Sequence, residues 1–295
     1  MFLILNGGMN KINRFFKANN NNPLIIAEIS GNHQKSLTIS KKIIDKVAES
    51  GAQMVKFQTF DPEEMTVNLK KKIFQITNKK NIWYGKYYYE LYKRSHLSYD
   101  LTKELFEYSY SKNLTPFSSV FDLKSLEFLE KINCKLYKIA SFEITDLKLI
   151  NYIASKKKPI IISTGMASKK EVDVAIKEIK KFHNKIIILH CVSSYPTKLQ
   201  NTNLFKINDL KKYYNNQMIG ISDHTDNIYS SIASIPMGVV AIEKHFKLND
   251  NLQTADSSFS ITPEMLKNLS NINKEINLSL KKKNNHNHLE ESSKF

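Results

Sequence analysis

Apolar and polar positions along this chain follow two periods, and the periods exchange places repeatedly. Short, nearly continuous apolar runs, most of them rich in isoleucine or valine, occupy residues 23–30, 53–59, 114–120, 136–141, 159–165, 186–192, 217–223 and 239–246. Runs that are apolar on both faces are expected of parallel strands covered on both sides. The segments between them carry helical stripes. In residues 37–51, Ile39, Ile43, Ile44 and Val47 share one face and Gly51 marks the end. Residues 123–133, 147–157 and 169–182 repeat the pattern. A last helix is predicted from Pro263 towards Leu280, with Thr262 as N-cap and Pro263 at its first position. Strand–helix units repeated eight times over roughly 250 residues predict an α/β fold of the (β/α)8 TIM-barrel class. A doubly wound open sheet is the alternative, weakened because no GxGxxG or P-loop sequence follows the first strand.

The units divide the chain into a leader (1–22), a barrel (23–280) and a polar tail (281–295). One connection is too long for a single helix. Residues 60–98 read as an insertion before a helix at 99–113, and they include the aromatic segment WYGKYYYELYKRSH at 83–96. Long connections in such folds are usually functional. The other reading is a packing helix with exposed tyrosines.

In barrels of this class the chemistry sits at the C-terminal strand ends. Every predicted strand carries polar side chains late in its apolar run: Glu28; Lys56 and Gln58; Ser118 and Ser119; Lys138 and Ser141; Ser163 and Thr164; His190, then Ser193 and Tyr195; Ser222, Asp223 and His224; Glu243 and His245. Lys56 and Lys138 lie inside runs that should be buried, where an unpaired ammonium is costly. Each needs an anion. With Ser119, Ser141, Ser163 and Ser222 they would make a donor-rich pocket for phosphate and carboxylate. Ion pairs with Glu28, Glu143 or Glu243 are the structural alternative, and a Schiff-base lysine is a third. His224 and His245 are 21 residues apart, about one strand–helix unit, so they should stand at adjacent mouths within reach of one divalent metal. Cys191 reads as a small buried side chain.

Composition adds little that is specific. The chain has 295 residues, with 44 Lys and Arg against 28 Asp and Glu for a net charge of +16. The lysines are spread over many predicted helix faces, so a solvated surface is the favoured reading and nucleic-acid binding ranks last. Two cysteines cannot build a disulfide framework. No apolar run approaches the ~20 residues of a membrane-spanning helix, and the opening MFLIL is too short for a signal-peptide core. A cytoplasmic protein is expected, with no membrane partner.

The chain resembles the sialic acid synthase family, which condenses phosphoenolpyruvate with an amino-sugar aldehyde. The resemblance rests on AEISGNHQ (27–34), MVKFQTFDPEEMT (54–66), YKIASFEITDLKLI (137–150), IISTGMAS (161–168), LHCVSSYP (189–196), IGISDHT (219–225), EKHF (243–246) and ADSSFSITPEM (255–265). EITDL, ELYKRSH and DSSFS look like the pseudaminic acid branch. The resemblance implies that His224 and His245 ligate a divalent metal, manganese first, with magnesium or cobalt as alternatives. It implies that Lys56, Lys138, Ser119, Ser141, Ser163, Ser193 and Ser222 hold phosphoenolpyruvate. Gln58, Tyr195 and Asp256 would contact the sugar, and Glu28 and Glu143 would transfer protons. It further implies a homodimer and metal-assisted aldol-type bond formation with C–O cleavage. The rivals are N-acetylneuraminate or legionaminic acid synthesis, or a truncated, catalytically impaired barrel. Relatives continue into a C-terminal antifreeze-like domain, and the tail here reads as the start of the linker to it.

Overall fold

Each apolar run becomes a strand of one closed sheet in the computed structural model, which describes residue 12, residues 22–79 and residues 83–281. The leader and the tail read from the sequence therefore lie almost wholly outside the described residues. The strands are β1 (Leu24–Glu28), β2 (Met54–Gln58), β3 (Thr115–Ser119), β4 (Tyr137–Ile139), β5 (Ile160–Ser163), β6 (Ile186–Cys191), β7 (Met218–Asp223) and β8 (Ala241–His245). They pair in parallel in chain order, and β8 closes against β1. This is the expected (β/α)8 barrel. The isoleucines of β5 and β6 are at most 2% exposed. Burying each contributes roughly 1.5–3 kcal/mol relative to leaving it in water.

The helices are α1 (Leu37–Glu49), α2 (Pro62–Met65), α3 (Tyr88–Ser95), α4 (Tyr99–Ser111), α5 (Leu123–Lys131), α6 (Leu147–Ser155), α7 (Lys169–Lys180), α8 (Lys206–Tyr213), α9 (Tyr229–Ser234) and α10 (Pro263–Ser279). Their starts are written locally. Ser36, Ser98, Asp122, Asp146, Ser168 and Thr262 each accept a backbone N–H from three residues on. Such caps stabilise by about 1 kcal/mol each. Ser168 and Glu171 form a reciprocal capping box at α7. In α1, Ile43, Ile44 and Val47 are buried as predicted, and Ile39 is half-buried.

Register brings the polar strand ends level. Glu28 stands beside Lys56 on one side and His245 on the other, Ser119 beside Lys138, and Ser222 beside Glu243. Between β2 and β3 the chain forms α2, a short 3-10 turn at Lys72–Phe74, α3 and α4. Helix α3 packs against the turn that follows β1. Phe60 meets Tyr92 of α3 and Phe121 edge-on, with ring centroids 5.9 and 5.4 Å apart. The aromatic segment therefore flanks the barrel mouth at β1–β3, and Tyr84 and Tyr88 of the same segment are exposed.

Candidate active site

Two lysines and two carboxylates meet inside the barrel. Lys138 Nζ lies 2.9 and 3.0 Å from the two carboxylate oxygens of Glu243. Lys56 Nζ is 3.2 Å from Glu243 Oε2 and 3.1 Å from Glu28 Oε2. Ser222 Oγ donates to Glu243 Oε1 at 2.9 Å, and Gln58 Nε2 donates to Glu28 Oε1 at 2.9 Å. All four charged groups are buried. The carboxylate partners left open by the sequence are thus Glu28 and Glu243.

Burial dominates the electrostatics here, and the partners decide its outcome. Burial would raise Glu243, but Lys138 and Lys56 outweigh it and hold its carboxyl well below the ordinary range. Burial would lower Lys56, but Glu243 and Glu28 hold its ammonium above the ordinary value. Lys138 is lowered by burial against Glu243, with repulsion from Lys56 adding to the effect. Its two-oxygen contact to Glu243 opposes that lowering. Glu28 is pushed up to about 7 by burial, with Lys56 opposing.

Beside this cluster lies a cradle of hydroxyls. Ser119 Oγ and Ser163 Oγ are buried and have no hydrogen-bond partner among the described residues. Gly165 N donates to Ser141 Oγ at 3.1 Å. A Cβ on Gly165 would overlap the Ser193 hydroxyl and lie 2.7 Å from Ser141 Oγ, so Ser141, Ser193 and Gly165 converge on one small space. Unpaired buried donors next to two ammonium groups suit a bound anion.

The two histidines complete the mouth. His224 and His245 have ring centroids 5.3 Å apart, with Phe259 packed edge-on against both. His224 Nδ1 donates to the carbonyl of Val192 at 3.1 Å, which fixes the tautomer and leaves Nε2 with its lone pair, 3.5 Å from Ser222 Oγ. Burial would lower His224 and raise Cys191, but their proximity reverses both directions and brings the thiol down to about 7. His245 is held well below the ordinary histidine value by burial and by His224, and its Nδ1 is buried without a partner. Among the described residues no group of three or more His, Cys, Asp and Glu side chains is gathered to hold a metal ion. What the chain offers is two imidazoles. They would suit a divalent cation, to which both could act as neutral nitrogen ligands.

The model of the NeuB family matches residues 43–285. The chain is 42% identical to the pseudaminic acid synthase of Helicobacter pylori over 81% of its length and 70% of that protein's. It is 36% identical to the N,N'-diacetyllegionaminic acid synthase of Campylobacter jejuni over 83% of its length and 74% of that protein's. The crystal structure of the N-acetylneuraminic acid synthetase of Leptospira borgpetersenii, in complex with citrate, superposes with a TM-score of 0.81 at 31% identity, covering 93% of this chain and 90% of that one.

The chain belongs to the NeuB family. It is an enzyme of the nonulosonate-synthase kind.

Other residues of this NeuB-family barrel take varied positions. Glu143 is pushed up to about 7 by burial, and Lys138 and Lys56 act on it only at a distance. Tyr195 packs on His224 at 4.6 Å and on Phe259 at 5.1 Å. Asp256 accepts from Ser30 Oγ and, at 3.0 Å, from Gly31 N, so it holds the turn after β1, and burial raises its carboxyl. Several polar strand ends point elsewhere. Ser118 Oγ bonds to the backbone of Thr59 and Phe57, Thr164 Oγ1 to Leu189 O, and His190 Nε2 to Thr202 O. Glu243 and Gly165 are the site groups that the sequence reading did not assign a role in binding substrate. Glu243 could have been found, since it lies two residues before His245 and so shares its face of the strand.

Proposed function

We propose that this chain is a pseudaminic acid synthase, joining phosphoenolpyruvate and 2,4-diacetamido-2,4,6-trideoxy-L-altrose with water to give pseudaminic acid and phosphate. The reading rests on one convergence: Lys56, Lys138 and the serine cradle lie beside His245 and the Nε2 edge of His224. One half suits a substrate bearing phosphate and carboxylate. The other suits an activated aldehyde. The choice of sugar is supported by the higher identity to the pseudaminic than to the legionaminic acid synthase. The segments Glu143–Leu147, Glu90–His96 and Asp256–Ser260 support it as well.

Lys56 and Lys138 offset the charge of phosphoenolpyruvate, while the hydroxyls of Ser119, Ser141, Ser163, Ser193 and Ser222 donate to its oxygens. Holding both ends of the molecule aims its C3 at the aldehyde carbon. The new bond forms between these two carbons, and positive charge develops at C2. Water adds at C2, and its oxygen becomes the C2 carbonyl as the bond from C2 to the phosphate oxygen breaks, its second proton leaving with the phosphate. Glu28 and Glu143, each held at about 7, move the protons, one leaving the added water and one reaching the new hydroxyl. Gln58, Tyr195 and Asp256 form the sugar side of the mouth. When bound at His224 and His245, a divalent metal supplies Lewis acidity at the aldehyde oxygen. We take that metal to be manganese, with magnesium or cobalt as alternatives, and the protein to be a cytoplasmic homodimer.

The test is phosphate release from phosphoenolpyruvate with Mn(II), comparing the altrose-type sugar with N-acetylmannosamine and the diacetamido sugar of the legionaminic pathway, with and without EDTA. Release with the altrose-type sugar alone, abolished by EDTA, is expected. Release with another sugar overturns the choice of substrate. No release with any sugar from folded protein overturns the synthase reading of this chain.

A further inference from the structure

A second buried ion pair lies behind the two histidines, on the opposite face of the same strands. Asp223 and Lys244 are register partners on β7 and β8, with Lys244 Nζ 3.2 Å from Asp223 Oδ2. Asp223 immediately precedes His224, and Lys244 immediately precedes His245. Alternation along each strand sends Ser222, His224, Glu243 and His245 into the barrel and Asp223 and Lys244 outward, under the helices. Both charged residues are buried, Lys244 completely.

Their remaining bonds fall on Thr225 and Ser231. Asp223 Oδ1 accepts from Thr225 N at 2.9 Å. Lys244 Nζ donates to Thr225 O and, at 3.0 Å, to Thr225 Oγ1. Ser231 of α9 donates to Asp223 Oδ2 at 2.7 Å. The peptide on each side of Thr225 is therefore pinned, directly after His224. A buried ion pair is a poor way merely to fill space, because apolar side chains of the same volume do that without desolvating two charges. What these charges supply is direction: fixed donors and an acceptor that hold the chain leaving His224 against the strand that carries His245.

We propose that Lys244 and Asp223 are positioning residues that set the His224 imidazole relative to His245, and so tune the affinity of this half-site for a divalent cation. The inference rests on the metal role of the histidines proposed above. Outer groups that orient ligating histidines commonly change metal affinity roughly 10- to 100-fold when lost.

The experiment measures Mn(II) binding to the purified full chain by the paramagnetic resonance signal of free Mn(II), and phosphoenolpyruvate binding by calorimetry in EDTA. The variants are His224→Ala, the charge-free pair Asp223→Asn with Lys244→Met, and Thr225→Val, which removes the hydroxyl that accepts from Lys244 and donates to Asn227 O and leaves the backbone bonds of Thr225 in place. The double variant is expected to lose about 10- to 100-fold in Mn(II) affinity and Thr225→Val about threefold, with phosphoenolpyruvate affinity within about twofold of the parent in both. Parental Mn(II) affinity in a folded double variant overturns the proposal. So does a loss of phosphoenolpyruvate affinity in step with that of Mn(II), which is the signature of general distortion. If the double variant does not fold, Thr225→Val decides: parental Mn(II) affinity overturns the proposal, and a selective loss supports it. A parent that binds no Mn(II), or a His224→Ala protein that binds it as the parent does, overturns the metal reading and this inference together. Abolished binding in His224→Ala with parental binding in the double variant overturns this inference alone.

Discussion

Glu243→Gln is the sharpest perturbation of the buried charge cluster. It keeps the shape of the side chain and removes the one negative charge that both lysines share. Among the described residues Lys138 loses its one carboxylate contact, and Lys56 keeps Glu28 at 3.1 Å. At about 3 Å and an effective dielectric of about 20, each lost contact is worth roughly 5 kcal/mol of Coulomb energy. Part of that returns through the remaining hydrogen bond and cheaper burial of a neutral amide. Removing one partner of a buried pair leaves a net cost of about 3–5 kcal/mol. At about 2–4 °C per kcal/mol, the melting temperature should fall by roughly 6–20 °C. The same change makes the pocket more positive, so phosphoenolpyruvate should stabilise the variant more than the parent. A ligand at 100 times its Kd contributes about 2.7 kcal/mol. The assay is thermal unfolding of both proteins across a phosphoenolpyruvate titration. A variant that melts within about 2 °C of the parent, and gains no more from the ligand, would refute the shared-carboxylate argument.

Three further outcomes follow from the geometry. Gly165→Ala places a methyl group against the hydroxyls of Ser193 and Ser141, so phosphoenolpyruvate affinity should fall at least tenfold, about 1.4 kcal/mol, with little change in melting temperature; unchanged affinity in calorimetry would count against the cradle. Burial keeps Glu143 protonated below about pH 7 and ionised above it, so turnover that uses it as a base should rise through that pH, and Glu143→Gln should flatten this limb of the kcat/KM profile; an unchanged limb assigns the base elsewhere. Lys138→Ala should weaken phosphoenolpyruvate binding far more than Lys212→Ala, a change on the exposed side of α8; equal effects would remove Lys138 from the anion site.

The barrel was legible because its determinants are local. Isoleucine-rich runs, caps such as Ser36 and Asp146, and the Thr262–Pro263 start of the last helix can each be read within a few residues. What the sequence leaves open is whatever depends on orientation or on distant partners. Residues 136–141 read as one strand, yet β4 ends at Ile139, and Ser141 turns off the sheet to accept from Gly165. His190 and Asp223 carry polar side chains at the right height but on the outward phase of the strand, and only a neighbour of known direction reveals this. The partners of Lys56 and Lys138 stayed ambiguous among three glutamates because the answer lies across the barrel, 105 residues away for Lys138 and Glu243.

The alternation of β7 and β8 ties the inner charge cluster and the outer ion pair to a single design problem. A two-residue period means that a strand placing Ser222 and His224 inside must turn Asp223 outward, and one placing Glu243 and His245 inside must turn Lys244 outward. Inside, Glu243 is shared by two lysines and by Ser222, and Glu28 stands against Lys56, so each lysine has a carboxylate in contact. Outside, Lys244 and Asp223 have no substrate to meet, and their bonds end on Thr225 and Ser231. A full positive charge at the outer position would be costly alone under the helices, and the same holds for a full negative one. Adjacent in register, they neutralise each other and leave directed bonds to the loop after His224. The inner cluster faces the barrel interior, and the outer pair closes on the loop after His224.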